Sequence, residues 1–264
     1  MLGVVQARSG SRGLPGKNVR LLRGKPLMAW MIEHARAARR INRLILSTDS
    51  EEYAEIGRRF GAETPFLRPA ELATDEATDL QVMTHALRWL AEKEGYRPGI
   101  AVRLQPTNPT FPTERIDEGI GLLLEDPEAD SVRPVTPTPK HPYKMWCWDP
   151  ASPYVTPLME PTGSGFAEPY NMGRSLLPKV YVQVGAMEAV RSRVVLETSS
   201  MAGKKIRGFL VSDPLHTVNI DTELDFLAAE AALKTLLEQE ASENLRAVSV
   251  PSAGIGHWVP RKEA

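Results

Sequence analysis

Short apolar runs alternate along this chain with longer stretches of helical period, and that alternation narrows the possible folds more than any other feature. Leu2–Ala7, Pro26–Arg39, Leu44–Ser47 and Glu51–Phe60 come first, followed by Asp79–Glu94, Ile100–Leu104, Thr113–Leu124 and Ser131–Val135. Each short run has the length of a strand, and each longer one can cross back over a sheet to a neighbouring parallel strand. The pattern predicts an α/β fold with a mostly parallel sheet, with Thr113 as the cap of its helix. A chain of 264 residues with 42% hydrophobic content can bury a proper core.

The alternation stops between Pro134 and Pro178, where prolines are dense and Tyr143, Trp146, Trp148, Tyr154, Phe166 and Tyr170 fall close together. Proline at this density breaks both helix and sheet, yet so many large apolar side chains do not suit a solvated linker. The segment reads as an inserted lobe over residues 136–178 that packs on something, a second subunit included. Regular pattern resumes at Lys179–Val184, Met187–Thr198 and Gly208–Val211, and a last helix begins near Thr222. One domain is therefore expected over residues 1–242, with an irregular tail over 243–264.

The formal net charge is −1, from 32 basic and 33 acidic residues. That balance predicts no general attraction to nucleic acid or to an anionic membrane surface, so any anion must be held by a local site. Cys147 is the only cysteine, which excludes an internal disulfide framework and a multi-cysteine zinc site. No secretory leader and no apolar run of membrane-spanning length is read in the sequence, and a cytoplasmic protein is expected. His34, His85, His141, His216 and His257 are scattered, and Cys147 stands between two tryptophans with no base in view. Packing or surface roles are expected for the histidines, and a packing role for Cys147.

Directly after the first strand comes Ala7-Arg8-Ser9-Gly10-Ser11-Arg12-Gly13-Leu14-Pro15-Gly16-Lys17-Asn18. Glycines at three-residue intervals let backbone N–H groups turn inward, and Arg8, Arg12 and Lys17 add charge-assisted hydrogen bonds, so the loop suits a polyphosphate. It is not a P-loop, because Ser11 and Asn18 stand where glycine and a hydroxyl are needed. It is not a dinucleotide fingerprint either, because Arg8 occupies the first glycine position. An ordinary solvated turn would not need glycine and cations at this density, and ligands bind at the carboxyl ends of strands in open α/β sheets.

The loop closely resembles the signature of the acylneuraminate cytidylyltransferases, the CMP-sialic acid synthetases. Further segments similar to that family follow in order: Ser47-Thr48-Asp49, Leu67-Arg68-Pro69-Ala70-Glu71-Leu72-Ala73-Thr74-Asp75, Leu104-Gln105-Pro106-Thr107-Asn108-Pro109, and Ile220-Asp221-Thr222-Glu223-Leu224-Asp225. The resemblance spans roughly residues 3 to 235. It implies a Rossmann-like three-layer nucleotidyltransferase fold, a homodimer joined through the inserted lobe, and CMP transfer from CTP to a nonulosonic-type sugar acid with Mg²⁺ as cofactor.

The resemblance assigns Arg8 and Lys17 to the phosphates as catalytic cations, within a nucleotide site of Arg8, Ser9, Gly10, Arg12, Gly13, Lys17, Asn18, Arg68 and Asp79. Gln105, Thr107, Arg174 and Gln183 fall to the acceptor. Asp221, with Asn219, falls to the metal, and Asp221 is counted as catalytic. Asn219 replaces the family's first metal-binding carboxylate by an amide, and the bland alternative is that Asn219-Ile220-Asp221-Thr222 merely caps the last helix. Val184 and Ser175 also depart from residues that meet sialic acid, which argues against assuming that particular acceptor. Another nucleotide, a phosphonate acceptor, or a silent nucleotide-binding protein remain open on the sequence.

Overall fold

The computed structural model describes residues 1–10 and 13–248. Strand β1 (Leu2–Gln6) leads through a small hairpin, β2 (Leu21–Leu22) and β3 (Lys25–Pro26), into α1 (Leu27–Ala37). Then come β4 (Arg43–Ser47), α2 (Glu51–Phe60), α3 (Asp79–Lys93), β5 (Ile100–Leu104), α4 (Thr113–Glu125) and β6 (Ser131–Pro137). The lobe carries a second hairpin, β7 (Trp146–Trp148) with β8 (Val155–Pro157). After it β9 (Tyr181–Gln183), β10 (Met187–Arg191), α5 (Ser192–Thr198), β11 (Ile206–Leu210) and α6 (Glu223–Val248) complete the order.

The central sheet runs β11-β6-β10-β5-β1-β4, with β9 pairing on β6. Strands β1, β4, β5, β6 and β11 point one way, and β9 and β10 run against them. The sheet is thus mostly parallel, as the alternation predicts. Side chains leave a strand on alternate faces, so one strand feeds two cores. Val5, Leu44, Leu46, Val102 and Leu104 face α1, α2 and α4, packing on Met28, Met31, Ile32, Ile116 and Ile120. Leu2, Val4, Ile45, Ala101 and Val190 face the other way, onto Met83, Leu87 and Leu90 of α3 and Val194 of α5. Three layers result.

Helix boundaries follow local chemistry. Thr78 and Gln81 form a reciprocal capping box at the start of α3. Thr113 is not a cap: Pro112 takes that position, and the Thr113 hydroxyl donates to the His34 carbonyl at 3.1 Å, tying α4 to α1. At α6 the Thr222 hydroxyl accepts from Asp225 N at 3.3 Å, while Asp225 Oδ2 accepts from Thr222 N at 2.8 Å. Thr222 and Asp225 therefore cap the helix, and the Asp221 side chain is left for other work. Helix α6 continues to Val248, beyond the start of the expected irregular tail. The tail beyond Val248 lies outside the described residues.

The lobe is held by its own hydrogen bonds. Tyr143 donates to the Thr162 carbonyl at 3.1 Å and stacks on His141. His141 reaches the Pro178 carbonyl at 2.9 Å. Its hairpin is largely exposed in a single chain, Trp148 at 63% and Tyr154 at 78%, and Cys147 lies exposed between the tryptophans instead of packed.

Phe111 is fully buried at the end of the loop after β5, against the α1–α4 core. Phe111→Ala is expected to cost about 3–5 kcal/mol, visible as a lower urea midpoint at unchanged slope.

Candidate active site

Crossovers leave β1 toward β4 and return past it to β5, so a crevice opens where the carboxyl ends of these strands meet their loops. A cleft of about 580 Å³ lies there. Arg8, Gly13, Lys17, Asn18, Arg68, Asp79, Gln105, Thr107, Asn219 and Asp221 all line it, although they come from far-separated stretches of the chain.

The glycine loop is tied down at both ends. Ser9 donates from N and Oγ to the two oxygens of Asp49 at 2.8 and 2.7 Å. Asn18, almost fully buried, donates to the Arg8 carbonyl at 3.1 Å. Gly16 has φ +66°, which suits glycine, and turns the chain so that Lys17 points back toward the segment before α6. There Lys17 Nζ donates to the Ile220 carbonyl at 2.9 Å and to Asp221 Oδ1 at 3.0 Å. Gly13 lies so close to that segment that an added Cβ would fall 2.7 Å from the Asp221 carbonyl oxygen.

Both described cations of the loop face carboxylates. Arg8 pairs with Asp75 and also donates to the Ala73 carbonyl at 3.4 Å, while Lys17 holds Asp221. An incoming polyphosphate offers these cations the same kind of oxygen that the carboxylates present. Arg12 lies outside the described residues. Ser9 and Gly10 are exposed and do not line the cleft; Ser9 serves to anchor the loop on Asp49.

Arg68 is buried and donates to the Ser47 hydroxyl at 3.0 Å and to its carbonyl. Burial lowers its pKa to about 10; Arg8 acts in the same direction, against the opposing charges of Asp49 and Asp79, and the guanidinium is still charged at neutral pH. Burial pushes the Asp49 carboxyl up, but the Ser9 hydrogen bonds and the Arg68 charge outweigh it and leave its pKa below the ordinary value. A carboxyl depressed in the fold keeps its tether while ionised and loses it as pH falls through the folded-state pKa. The Ser9–Asp49 tether is thus in place throughout the neutral range.

Asp79, first residue of α3, pairs with buried Arg103 at 2.7 Å. With its amide oriented to satisfy both neighbours, Gln105 accepts from Arg103 and donates to the Gly185 carbonyl at 3.0 Å. Two expected acceptor residues stand elsewhere. Gln183 does not line the cleft and bonds Arg133 and Glu188 instead. Arg174 is in the lobe, donating to the Pro139 carbonyl. Both are exposed, so within one chain they do not join Gln105 and Thr107 at the cleft wall.

Asp221 is two-thirds exposed, and its Oδ2 accepts from Asn219 Nδ2 at 2.6 Å. Among the described residues no cluster of three or more His, Cys, Asp or Glu side chains forms a closed metal site. One carboxylate with an amide beside it fits a Mg²⁺ that retains waters and takes phosphate oxygens as further ligands. Binding there requires Asp221 to turn from Lys17 and Asn219 toward the ion.

Asp49, Asp75 and Arg103 were not singled out as site residues from the sequence. Asp49 and Asp75 stand within two of the motif segments, and Arg103 immediately precedes Leu104-Gln105, so adjacency to the motifs is the signal that points to them.

Residues 2–143 match the Cytidylyltransferase family. The chain is 28% identical over 242 residues to a CMP-N,N'-diacetyllegionaminic acid synthase of Legionella pneumophila, covering 91% of this chain and 98% of that protein. It is 30% identical over 227 residues to an N-acylneuraminate cytidylyltransferase of Escherichia coli, covering 86% of this chain and 50% of the other. A solved CMP:2-keto-3-deoxy-manno-octonic acid synthetase complexed with CTP superposes with TM-score 0.64 at 18% identity, over 90% of this chain and 98% of that one, a likeness of fold.

Gly13→Ala should force the loop away from Asp221 and lower kcat/KM for the nucleotide by roughly tenfold or more, measured by steady-state kinetics. Asp49→Asn, which weakens the Ser9 tether and removes a charge that favours buried Arg68, should raise KM for the nucleotide more than it lowers kcat.

Proposed function

The chain belongs to the cytidylyltransferase family, and we propose that the cleft between the glycine loop and Asp221 is where it transfers CMP from CTP to a sugar acid. The single observation that carries this assignment of the site is the convergence of Arg8, Lys17 and Asp221 on one cleft at the carboxyl ends of β1 and β5. That is the arrangement in-line displacement at a nucleotide's α-phosphorus requires: cations for the departing pyrophosphate at one end, and room for a hydroxyl nucleophile at the other.

In this reading Arg8 and Lys17 release their carboxylate partners and grip the β- and γ-phosphates. Gly13, where no side chain fits beside the Asp221 carbonyl, lets the loop and the Asp221 segment close around the same oxygens. Asn18 fixes the loop, and Arg68 with Asp79 borders the nucleoside. Gln105 and Thr107 orient the acceptor so that its hydroxyl attacks opposite the pyrophosphate. Mg²⁺, held through Asp221 with Asn219 beside it, would supply positive charge against the negative charge that gathers on the phosphates. With only one carboxylate at that position, the chain itself would hold the ion weakly, so a millimolar Mg²⁺ requirement is expected.

The second copy belongs to the same proposal. Met145, Trp146, Trp148, Tyr154, Val155, Leu158 and Leu176 leave a broad apolar face exposed on the lobe. Exposed apolar side chains this rich in aromatics are what a subunit interface covers. We take the working form to be a homodimer joined there, which would bring the lobe that carries Arg174 to the partner. A reducing cytoplasm suits the exposed thiol of Cys147, and no helix among the described residues is long and apolar enough to cross a membrane.

The test is pyrophosphate release from CTP that depends jointly on Mg²⁺ and a nonulosonic acid. Nucleotide binding without release under any such acceptor would favour a silent nucleotide-binding protein. Arg8→Ala is expected to lower turnover by about a hundredfold or more while the partly exposed ion pair it removes leaves stability within about 1 kcal/mol. Trp148→Glu together with Tyr154→Glu should yield a monomer by light scattering, where the unaltered chain gives a dimer.

A further inference from the structure

Four cations line the cleft among the described residues: Arg8, Lys17, Arg68 and Arg103. Three of them already have a use. Arg8 and Lys17 belong to the phosphate end, and Arg68 spends its donors on the Ser47 hydroxyl and carbonyl. Arg103 has no part in the reaction as described so far. On β5 it follows Ala101 on the side of the sheet that faces α3, where an apolar residue would extend the core, and it is only 4% exposed. The next residue on that side of the strand is Gln105, whose oriented amide accepts from Arg103 Nη1 at 3.2 Å.

Two carboxylates stand near Arg103, and they differ in kind. Glu188 is buried and shared: its Oε1 lies 3.7 Å from Arg103 Nη1, and its Oε2 lies 3.5 Å from Arg133 Nη2. Neither Glu188 nor Arg133 lines the cleft. One carboxylate between two guanidiniums leaves that group with a single net positive charge. Asp79 balances it from the cleft side, with Oδ2 2.7 Å from Arg103 Nη2 and nearly half of its own side chain in water. Helix α3 does not require this pairing, because Thr78 and Gln81 make its cap, and the Asp79 carboxylate stays in the first turn when its side chain swings to solvent. A buried guanidinium must keep an anion beside it, and the one beside Arg103 is free to leave for water. Arg8 on Asp75 and Lys17 on Asp221 are arranged in the same way.

We propose that Arg103 is the cation that selects an acidic acceptor: the carboxylate of the sugar acid displaces Asp79 and binds the Arg103 guanidinium. This rests on the sugar-acid reaction given above. In a nonulosonic acid the carboxylate is attached to the carbon that bears the attacking hydroxyl, so a group that grips one fixes the other. A guanidinium offers a carboxylate two parallel donors in one plane. Position favours this anion over a phosphate, because Arg103 stands beside Gln105 on β5 while the phosphate cations come from the loop after β1. Arg174 of the same chain does not compete for it, being held at the Pro139 carbonyl in the lobe.

The test sets N-acetylneuraminic acid and N,N'-diacetyllegionaminic acid against their C1 carboxamides, which keep the hydroxyl and lose the charge. Pyrophosphate release is followed at saturating CTP and Mg²⁺, with KM for CTP measured separately. For an acid that is used, kcat/KM should exceed that of its carboxamide, and in Arg103→Met this ratio should fall by roughly tenfold or more. Glu188 keeps Arg133 as a partner in that variant. Asp79→Asn removes the competing carboxylate, so KM for the acid should drop by about two- to fivefold while KM for the carboxamide holds. A residue that only supports the fold changes acid and carboxamide alike and leaves the ratio where it was. If Arg103→Met does not fold, Asp79→Asn decides, since it alters a half-exposed side chain. An unaltered protein indifferent to the charge, or a ratio unmoved in either folded variant, overturns the role of Arg103 alone. An Arg103→Met effect confined to KM for CTP does the same and gives the guanidinium to the nucleotide. Release with none of the four compounds overturns the sugar-acid reaction and the role of Arg103 with it.

Discussion

The contact from Lys17 Nζ to the Ile220 carbonyl and Asp221 carboxylate closes the cleft at the carboxyl ends of the strands, and the arrangement around it depends on that contact. It joins a loop near the start of the chain to the segment that precedes the last helix. The same segment is fixed from a third side, because Ile220 N donates to the Thr107 carbonyl at 2.9 Å and Asn108 Nδ2 donates to the Val218 carbonyl at 3.1 Å. Two stretches distant from it in sequence, the first loop and residues 107–108, thus hold one short run of backbone. Gly13 contributes by lacking a side chain, since any Cβ there would strike the Asp221 carbonyl. Helix α6 secures the junction from behind: Arg20 pairs with Glu223 and lies over the Phe226 ring, while Ile220, Phe226 and Leu233 pack with Leu22, Leu27 and Trp30.

This construction separates holding from reacting. The helix cap uses Thr222 and Asp225, the loop tether uses Ser9 and Asp49, and neither consumes Asp221. Asp221, mostly exposed and bonded only to groups with labile protons, can change partners at little cost. The capping that the local sequence allowed to Asp221 or Thr222 falls to Thr222 with Asp225, which leaves the Asp221 carboxylate outside the cap. Arg8 and Lys17 follow the same logic, each resting on a carboxylate that a phosphate can replace.

The polar residues on the α3-facing side of the sheet and the apolar residues on the lobe are opposite departures from the usual distribution. Charge is buried at Arg103 and Glu188, and aromatic surface is exposed at Trp148 and Tyr154. Both lie beyond the layers that close the hydrophobic core, where packing no longer dictates composition. Departures of this kind are expected where a surface is used for recognition and not for stability.

Much of the fold was legible because it rests on local pattern. The alternation of strand and helix, the inserted lobe and the phosphate loop are written in runs of adjacent residues, and hydrophobic period and glycine spacing act over a few positions. The grouping of Arg8, Lys17, Gln105 and Asp221 was legible through ordered motifs, and the cleft brings those side chains together. Other features were not legible for a physical reason: each depends on which distant atoms come within hydrogen-bonding reach. Thr113 looked like a cap but serves α1; Arg174 and Gln183 looked like cleft residues but bond elsewhere; Asp49, Asp75 and Arg103 gained roles only from neighbours supplied by other strands and loops. The sequence alone determined the layered α/β architecture and the glycine- and cation-rich character of the first loop, because both follow from nearest neighbours along the chain. Only the tertiary structure decided which carboxylates rest on which cations and which face of the sheet turns polar at the cleft, because those are contacts between segments that meet only when the sheet is assembled.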